Sequence, residues 1–255
     1  MVWLLQRQRG SAGLAARVRV PLSYLRLRLP LMRPDIGILR RILAVGLPAA
    51  ADGSLAFSGH FVFTTIVTRV PSMFTPTVLY AAHVVGIRIE SLSYLPANAW
   101  SVAASTMVGQ NLGAGQPERA RQAANESVKQ AMMLLALTGL LYFFAAQPLY
   151  RVLSNDPAVW ECGVPALKGL ACVQVPLAIL IVYLGSLRGA GDTRVPVLFT
   201  FLGVGLIRIP VAWLGGVILR GGLLGAWMGM FTDIVVRASL LAWRFRSARW
   251  QKIRV

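Results

Sequence analysis

An all-α, polytopic membrane protein is the fold class this sequence predicts, and three observations predict it. Hydrophobic residues make up 56% of the 255 and charged residues only 14%, against roughly 25% charged in a soluble domain. Mean hydropathy is +0.62, and six apolar stretches are each long enough to cross a hydrocarbon layer of ~30 Å. Basic residues gather at the chain ends and in short breaks, so the net charge of +17 follows the positive-inside rule. No nucleic-acid partner is expected; the partner is the lipid bilayer. Soluble, disordered and disulfide-scaffold classes are excluded by the same numbers. Cys162 and Cys172 are the only cysteines. They share one apolar segment about 15 Å apart along a helix, beyond disulfide reach.

In chain order, residues 1–41 form a basic segment with nine arginines and one acid, Asp35. Arg17-Val18-Arg19-Val20 and Arg26-Leu27-Arg28-Leu29 alternate with period two. That pattern fits a segment lying on cytoplasmic headgroups better than the helical stripe of a transit peptide. A six-helix transmembrane lobe follows over 42–243, with spans near 42–69, 78–108, 118–149, 158–187, 195–219 and 223–243. Val70-Pro71-Ser72, Gly113-Ala114-Gly115-Gln116-Pro117, Asn155-Asp156-Pro157, Gly189-Ala190-Gly191-Asp192 and Arg220-Gly221-Gly222 supply the breaks. Pro117 suits a first helical position. Residues 244–255 are a basic tail.

Six crossings put both termini on one side, together with Arg119, Arg121, Arg188 and Arg194. Arg69, Arg151 and Arg220 fall opposite, near Asp156 and Glu161. The expected placement is the cell membrane with both termini cytoplasmic.

Several polar groups fall inside the spans, where ionisable residues are costly and usually face a pathway or a partner. Asp52 is expected near the midplane of the first helix. On the second, His83, Glu90, Tyr94 and Asn98 recur at steps of seven and four, close to one face. That stripe has two readings, a cavity wall or hydrogen bonding to neighbouring helices. Pro48 and Pro96 would bend the helices beside these acids. Arg208 and Asp233 are read as a structural ion pair, with Asp233 and Arg237 spaced i,i+4 as well. Lys168 and Arg88 each need a partner or must snorkel to the interface.

No catalytic constellation occurs. Gly109 to Gly115 lacks the Gly-Lys-Ser/Thr of a phosphate loop, and there is no His-Glu-x-x-His, paired-Cys spacing or Gly-x-Ser-x-Gly elbow. The chain is expected to be no enzyme, with no cofactor and no metal site.

Three runs carry a resemblance. Val45-Gly46-Leu47-Pro48-Ala49-Ala50 opens the first helix. Ala103-Ala104-Ser105-Thr106-Met107-Val108-Gly109-Gln110-Asn111-Leu112-Gly113-Ala114 closes the second, and Leu187-Arg188-Gly189-Ala190-Gly191-Asp192-Thr193 follows the fourth. In this order they resemble the multidrug and toxic compound extrusion (MATE) family of cation-coupled exporters, over residues 34–245.

The resemblance implies twelve helices in two six-helix lobes, of which this chain looks like the C-terminal one. Leu55, Ala56 and Leu177 stand where the NorM-like branch has carboxylates, so the pattern looks more like the DinF-like branch. Asp52, Glu90, His83 and Asn98 are then candidates for transport or coupling. Pro48, Gly109, Gln110, Asn111, Gly113, Ala114 and Gly115, with Arg188, Gly189, Gly191, Asp192 and Thr193, belong to motif loops, whose glycines would form tight cytoplasmic turns. Asp192 would cap the fifth helix near Thr193. The implied function is half of an antiporter that exports small organic, cationic compounds by alternating access, coupled to H⁺ or Na⁺, with H⁺ favoured. Its partner would be an N-terminal six-helix lobe supplied separately. The alternative is a truncated or decayed membrane protein that inserts and moves nothing.

Overall fold

The structure, a computed structural model, describes residues 36–252. The chain divides into two units, Met1–Arg40 and Arg41–Val255; of the first, only residues 36–40 are described, so most of the basic segment 1–41 and the last residues of the tail lie outside the description. Every regular element among the described residues is helical. In order these are α1 (Ile36–Val67), α2 (Pro76–Gly113), α3 (Pro117–Phe144), α4 (Ala146–Leu153), α5 (Pro157–Cys172) and α6 (Gln174–Gly189). Then come α7 (Arg194–Ile218) and α8 (Gly222–Arg246), and a 3₁₀ turn at Arg249–Lys252.

Helix starts follow local chemistry. Thr75 caps α2 by accepting a hydrogen bond from the Val78 N–H at 3.4 Å, and Asp156 caps α5 through Ala158 at 2.9 Å. Pro76, Pro117 and Pro157 occupy first helical positions, where no N–H is needed. α2 ends where Gly115 takes φ +70°, a left-handed turn that bends the Gly115 and Gln116 N–H groups back to Leu112 and Asn111.

Length and composition alone mark four membrane-crossing helices, α1 (over Ile42–Val67), α3, α7 and α8, and a fifth if α5 and α6 form one bent span. The sequence reading counts six. The remaining one is α2, which has 38 residues but is diluted by His83, Arg88, Glu90 and Asn98. It packs along α3, α5 and α6; its His83 is buried and its Glu90 and Asn98 partly so, while Arg88 stays exposed. The outward surface is apolar, with Phe57, Phe61, Leu95, Leu137, Phe144 and Leu214 exposed, as a hydrocarbon solvent requires.

Several expected boundaries are corrected. The span placed at 118–149 is α3 followed by the short α4. The span placed at 158–187 breaks at Val173, where α5 and α6 meet at 61°. Pro176 has no N–H to offer the Cys172 carbonyl, so the regular ladder fails there. Pro48 and Pro96, expected to bend their helices, sit inside the uninterrupted α1 and α2. α7 contains π-helical stretches at Phe201–Arg208 and Trp213–Ile218 on either side of Pro210. Arg244 and Arg246, read as tail, are the last turn of α8.

α2 is held on three sides. Tyr142 donates to the Ile89 carbonyl at 2.7 Å and Tyr150 to the Ala82 carbonyl at 2.9 Å. Ser101 Oγ donates to the Ile181 carbonyl of α6 at 2.9 Å. The α2–α6 crossing is close because both helices present glycine: a Cβ on Gly109 would lie 3.1 Å from the Gly189 carbonyl, and one on Gly189 would run into the Ser105 backbone. Gly189→Ala is therefore expected to lower stability by about 1–3 kcal/mol. Gly113, which a Cβ would leave with open space, serves as control. Thermal unfolding of both variants in one detergent checks the difference, and equal midpoints would refute the crossing.

Candidate functional site

The most highly charged part of the interior lies between α7 and α8. Asp233 has no exposed surface and takes two guanidinium groups. Arg208 donates Nε at 2.9 Å and Nη2 at 2.6 Å to Oδ2. Arg237 donates Nε to Oδ1 and Nη2 to Oδ2, both at 2.6 Å. Gly203 makes this possible: a Cβ there would fall on the Asp233 carboxylate and the Arg237 side chain. The Arg208–Asp233 pair named from the sequence is thus a triad. Two cations against one anion leave an excess positive charge, and Arg208 is also within electrostatic reach of Glu90 and His60.

The α2 stripe does not converge on one site. His83 is buried and fully engaged: Trp227 Nε1 donates to its Nδ1 at 3.2 Å, and Thr64 Oγ1 lies 3.4 Å from its Nε2. The rings of His60 and Phe63 pack on it with centroids 5.8 and 5.5 Å away. His83 therefore ties α1 and α8 to α2. Asn98 turns back to the Tyr94 carbonyl at 2.8 Å, and Tyr94 is exposed. Glu90 is half-buried, with no side-chain hydrogen bond among the described residues, and lies within electrostatic reach of Arg208. It is the one acid of the stripe.

Asp52 does something different. Among the described side chains from Leu43 to Ser58 it alone is buried, and its Oδ2 accepts from Arg188 Nη2 of α6. Its Oδ1 is buried without a partner. Asp52 lies fifteen residues before Val67, ~22 Å from that end of α1. It stands level with the last turn of α6, where Arg188 sits. The second half of α1 packs through Gly59 against Val204 and through Phe63 against His83. Between Leu43 and Ser58 the ion pair holding α1 among the described residues is Asp52–Arg188.

Much of the motif-loop assignment is also revised. Gly109, Gln110, Asn111 and Gly113 are helical, as are Arg188 and Gly189; only Ala114, Gly115, Gly191, Asp192 and Thr193 form turns. Asp192 makes no cap for the following helix. It accepts from Arg244 Nε of α8 at 2.7 Å, because Gly191 at φ +81° turns it back toward the bundle. Gln174, which sequence reasoning passed over, is fully buried at the α5–α6 bend with neither amide atom paired. The glutamine between Val173 and Pro176 was the available signal. His60 and Trp227 had none, since only folding brings them to His83.

The family profile for MatE matches residues 48–214. The chain belongs to the MatE family. A probable multidrug resistance protein NorM from Thermotoga maritima is 32% identical over 242 residues, covering 95% of this chain and 51% of that protein. Multidrug resistance protein MdtK from Pectobacterium atrosepticum is 27% identical over 88% of this chain and 49% of its own length. This MatE chain thus spans about half the length of the curated relatives it matches. Among solved structures, MATE in the straight conformation superposes with a TM-score of 0.78 at 18% identity, over 89% of this chain and 51% of that one. An inward-facing multidrug resistance MATE transporter does so at 0.69, also at 18% identity, over 89% and 52%. The fold is therefore that of a multi-pass membrane transporter family.

Two outcomes follow from the geometry. Asp233→Asn leaves two buried guanidiniums without their carboxylate and is expected to cost about 3–5 kcal/mol, read as a lowered unfolding midpoint. Asp52→Asn and Arg188→Gln are each expected to raise amide exchange over residues 43–58 while leaving 59–67 unchanged. Unaltered exchange in both variants would show that the pair does not latch α1.

Proposed function

We propose that this MatE chain is the C-terminal lobe of a proton-coupled exporter of small organic cations. It works by alternating access with an N-terminal six-helix lobe, in the cell membrane with both termini cytoplasmic, as a transporter half and not an enzyme. The observation that carries the coupling is Glu90, a carboxylate without a hydrogen-bond partner among the described residues, within electrostatic reach of Arg208 in a triad with one cation in excess. Ionised, Glu90 balances Arg208, Asp233 and Arg237 to neutrality. Protonated, it leaves the group net positive, which repels a cationic ligand. Proton and substrate then compete through charge, and the coupling is reciprocal. A guanidinium within electrostatic reach of the carboxylate disfavours Na⁺ there, whereas a proton binds on the oxygen itself. Leu55, Ala56 and Leu177 are apolar where the resemblance puts the carboxylates of the NorM-like branch, which favours H⁺ here even though relatives named NorM match this chain. The relatives bear the names of multidrug resistance proteins, in keeping with a lipophilic substrate.

The test is efflux of an aromatic cation from cells expressing this chain alone, or with the N-terminal half of the Thermotoga maritima relative as a separate polypeptide. Alone it is expected to give no pH-dependent efflux; with the second lobe efflux appears. Glu90→Gln in the pair is expected to lower transport at least ten-fold with insertion unchanged. Failure of the pair to transport would favour a decayed membrane protein, and full transport by Glu90→Gln would remove Glu90 as the coupling group.

A further inference from the structure

The 61° bend between α5 and α6 leaves a cleft between α6 and α8, with a volume near 380 Å³. Pro176 and Ile179, from the first turns after the break, form one wall. The other is a single face of α8, with Val235, Ser239, Ala242 and Arg246 at steps of four, three and four. We propose that this groove is a binding site for an anionic phospholipid, with one acyl chain along α8 and the phosphate on Arg246.

Depth, polarity and charge each point there. Val235 to Arg246 is eleven residues, a run of ~16 Å on a helix. That matches one leaflet of a hydrocarbon core ~30 Å thick, in the leaflet holding the C-terminal end of α8. The only hydroxyl on this α8 face is spent internally, since Ser239 Oγ donates to the Val235 carbonyl at 2.8 Å, so the wall is apolar to its occupant. Trp243 borders the groove and is 61% exposed, an aromatic placed where interfacial tryptophans sit. At the same end, Arg246 is exposed and has no ion pair among the described residues, while its neighbour Arg244 is taken up by Asp192. Arg121 of α3 lies on the same side, both arginines being within electrostatic reach of Tyr183. A groove open to lipid does not stay empty, because its lining would forfeit dispersion contacts. The unpaired guanidinium decides which lipid fills it.

The test uses the seven-tryptophan full chain in phosphatidylcholine vesicles containing a minor share of phosphatidylglycerol, with one lipid at a time dibrominated on its acyl chains. Quenching of Trp243 is the difference between the native chain and Trp243→Phe. At equal mole fraction, brominated phosphatidylglycerol is expected to quench Trp243 about five-fold more effectively than brominated phosphatidylcholine. Arg246→Gln is expected to abolish that preference, and Arg249→Gln, a surface charge outside the groove lining, to retain it. Ala242→Leu, which fills the groove, should reduce quenching by both lipids. Equal quenching by the two lipids, or a preference that survives Arg246→Gln, overturns the proposal. So does protection of Trp243 from both, the result expected if a second copy or another lobe covers the groove.

Discussion

A carboxylate with no exposed surface, Asp233, meets two guanidinium groups between α7 and α8, and much of the lobe is arranged to permit it. Charges removed from water cost several kcal/mol each unless their hydrogen bonds are fully met. Here the planar forks of Arg208 and Arg237 satisfy both carboxylate oxygens. The contact needs α7 and α8 close together, hence glycine at 203 and at 229, where a Cβ would strike the Arg208 carbonyl. It also needs Arg208 turned inward from a helix interrupted by Pro210, and α7 is π-helical on both sides of that residue. The irregular stretch of the lobe is thus the stretch that carries its charge.

Elsewhere the packing follows the rule for helices that share an apolar solvent. With no water to expel, contact is gained by small residues and by hydrogen bonds to backbone carbonyls. Gly109, Gly185 and Gly189 bring α2 against α6, and Ser101, Tyr142 and Tyr150 donate to carbonyls across helices. α2 is accordingly held against α3, α5 and α6, while α8 buries the larger share of its residues. α1 differs: its C-terminal end is packed through Phe63, Ile66 and Val67, while among the described side chains from Leu43 to Ser58 only Asp52, paired with Arg188, is buried.

Two acids that look alike in sequence therefore separate in role. Asp52 is bound to Arg188 and acts on the position of a helix. Glu90 is bound to nothing described and acts, in the proposed mechanism, on the charge of the interior. The distinction is one of partners: Asp52 has a guanidinium in contact, and Glu90 has one only within electrostatic reach.

The fold class was determined by the sequence alone, because burial in hydrocarbon demands long apolar helices and leaves a signature that needs no partner. The same holds for the breaks at Pro117, Pro157 and Gly191, where local backbone chemistry sets the turn, and for the chance of an Arg208–Asp233 pair, since unpaired charges at such depth are too costly. Tertiary structure decided what Asp52 and Asp192 bind, Arg188 and Arg244, since those partners lie 136 and 52 residues away in the chain. It also decided that the His83 stripe divides into a buried anchor, a half-buried acid and an exposed tyrosine. Helical spacing says which residues share a face, but only neighbouring helices determine how far that face is covered.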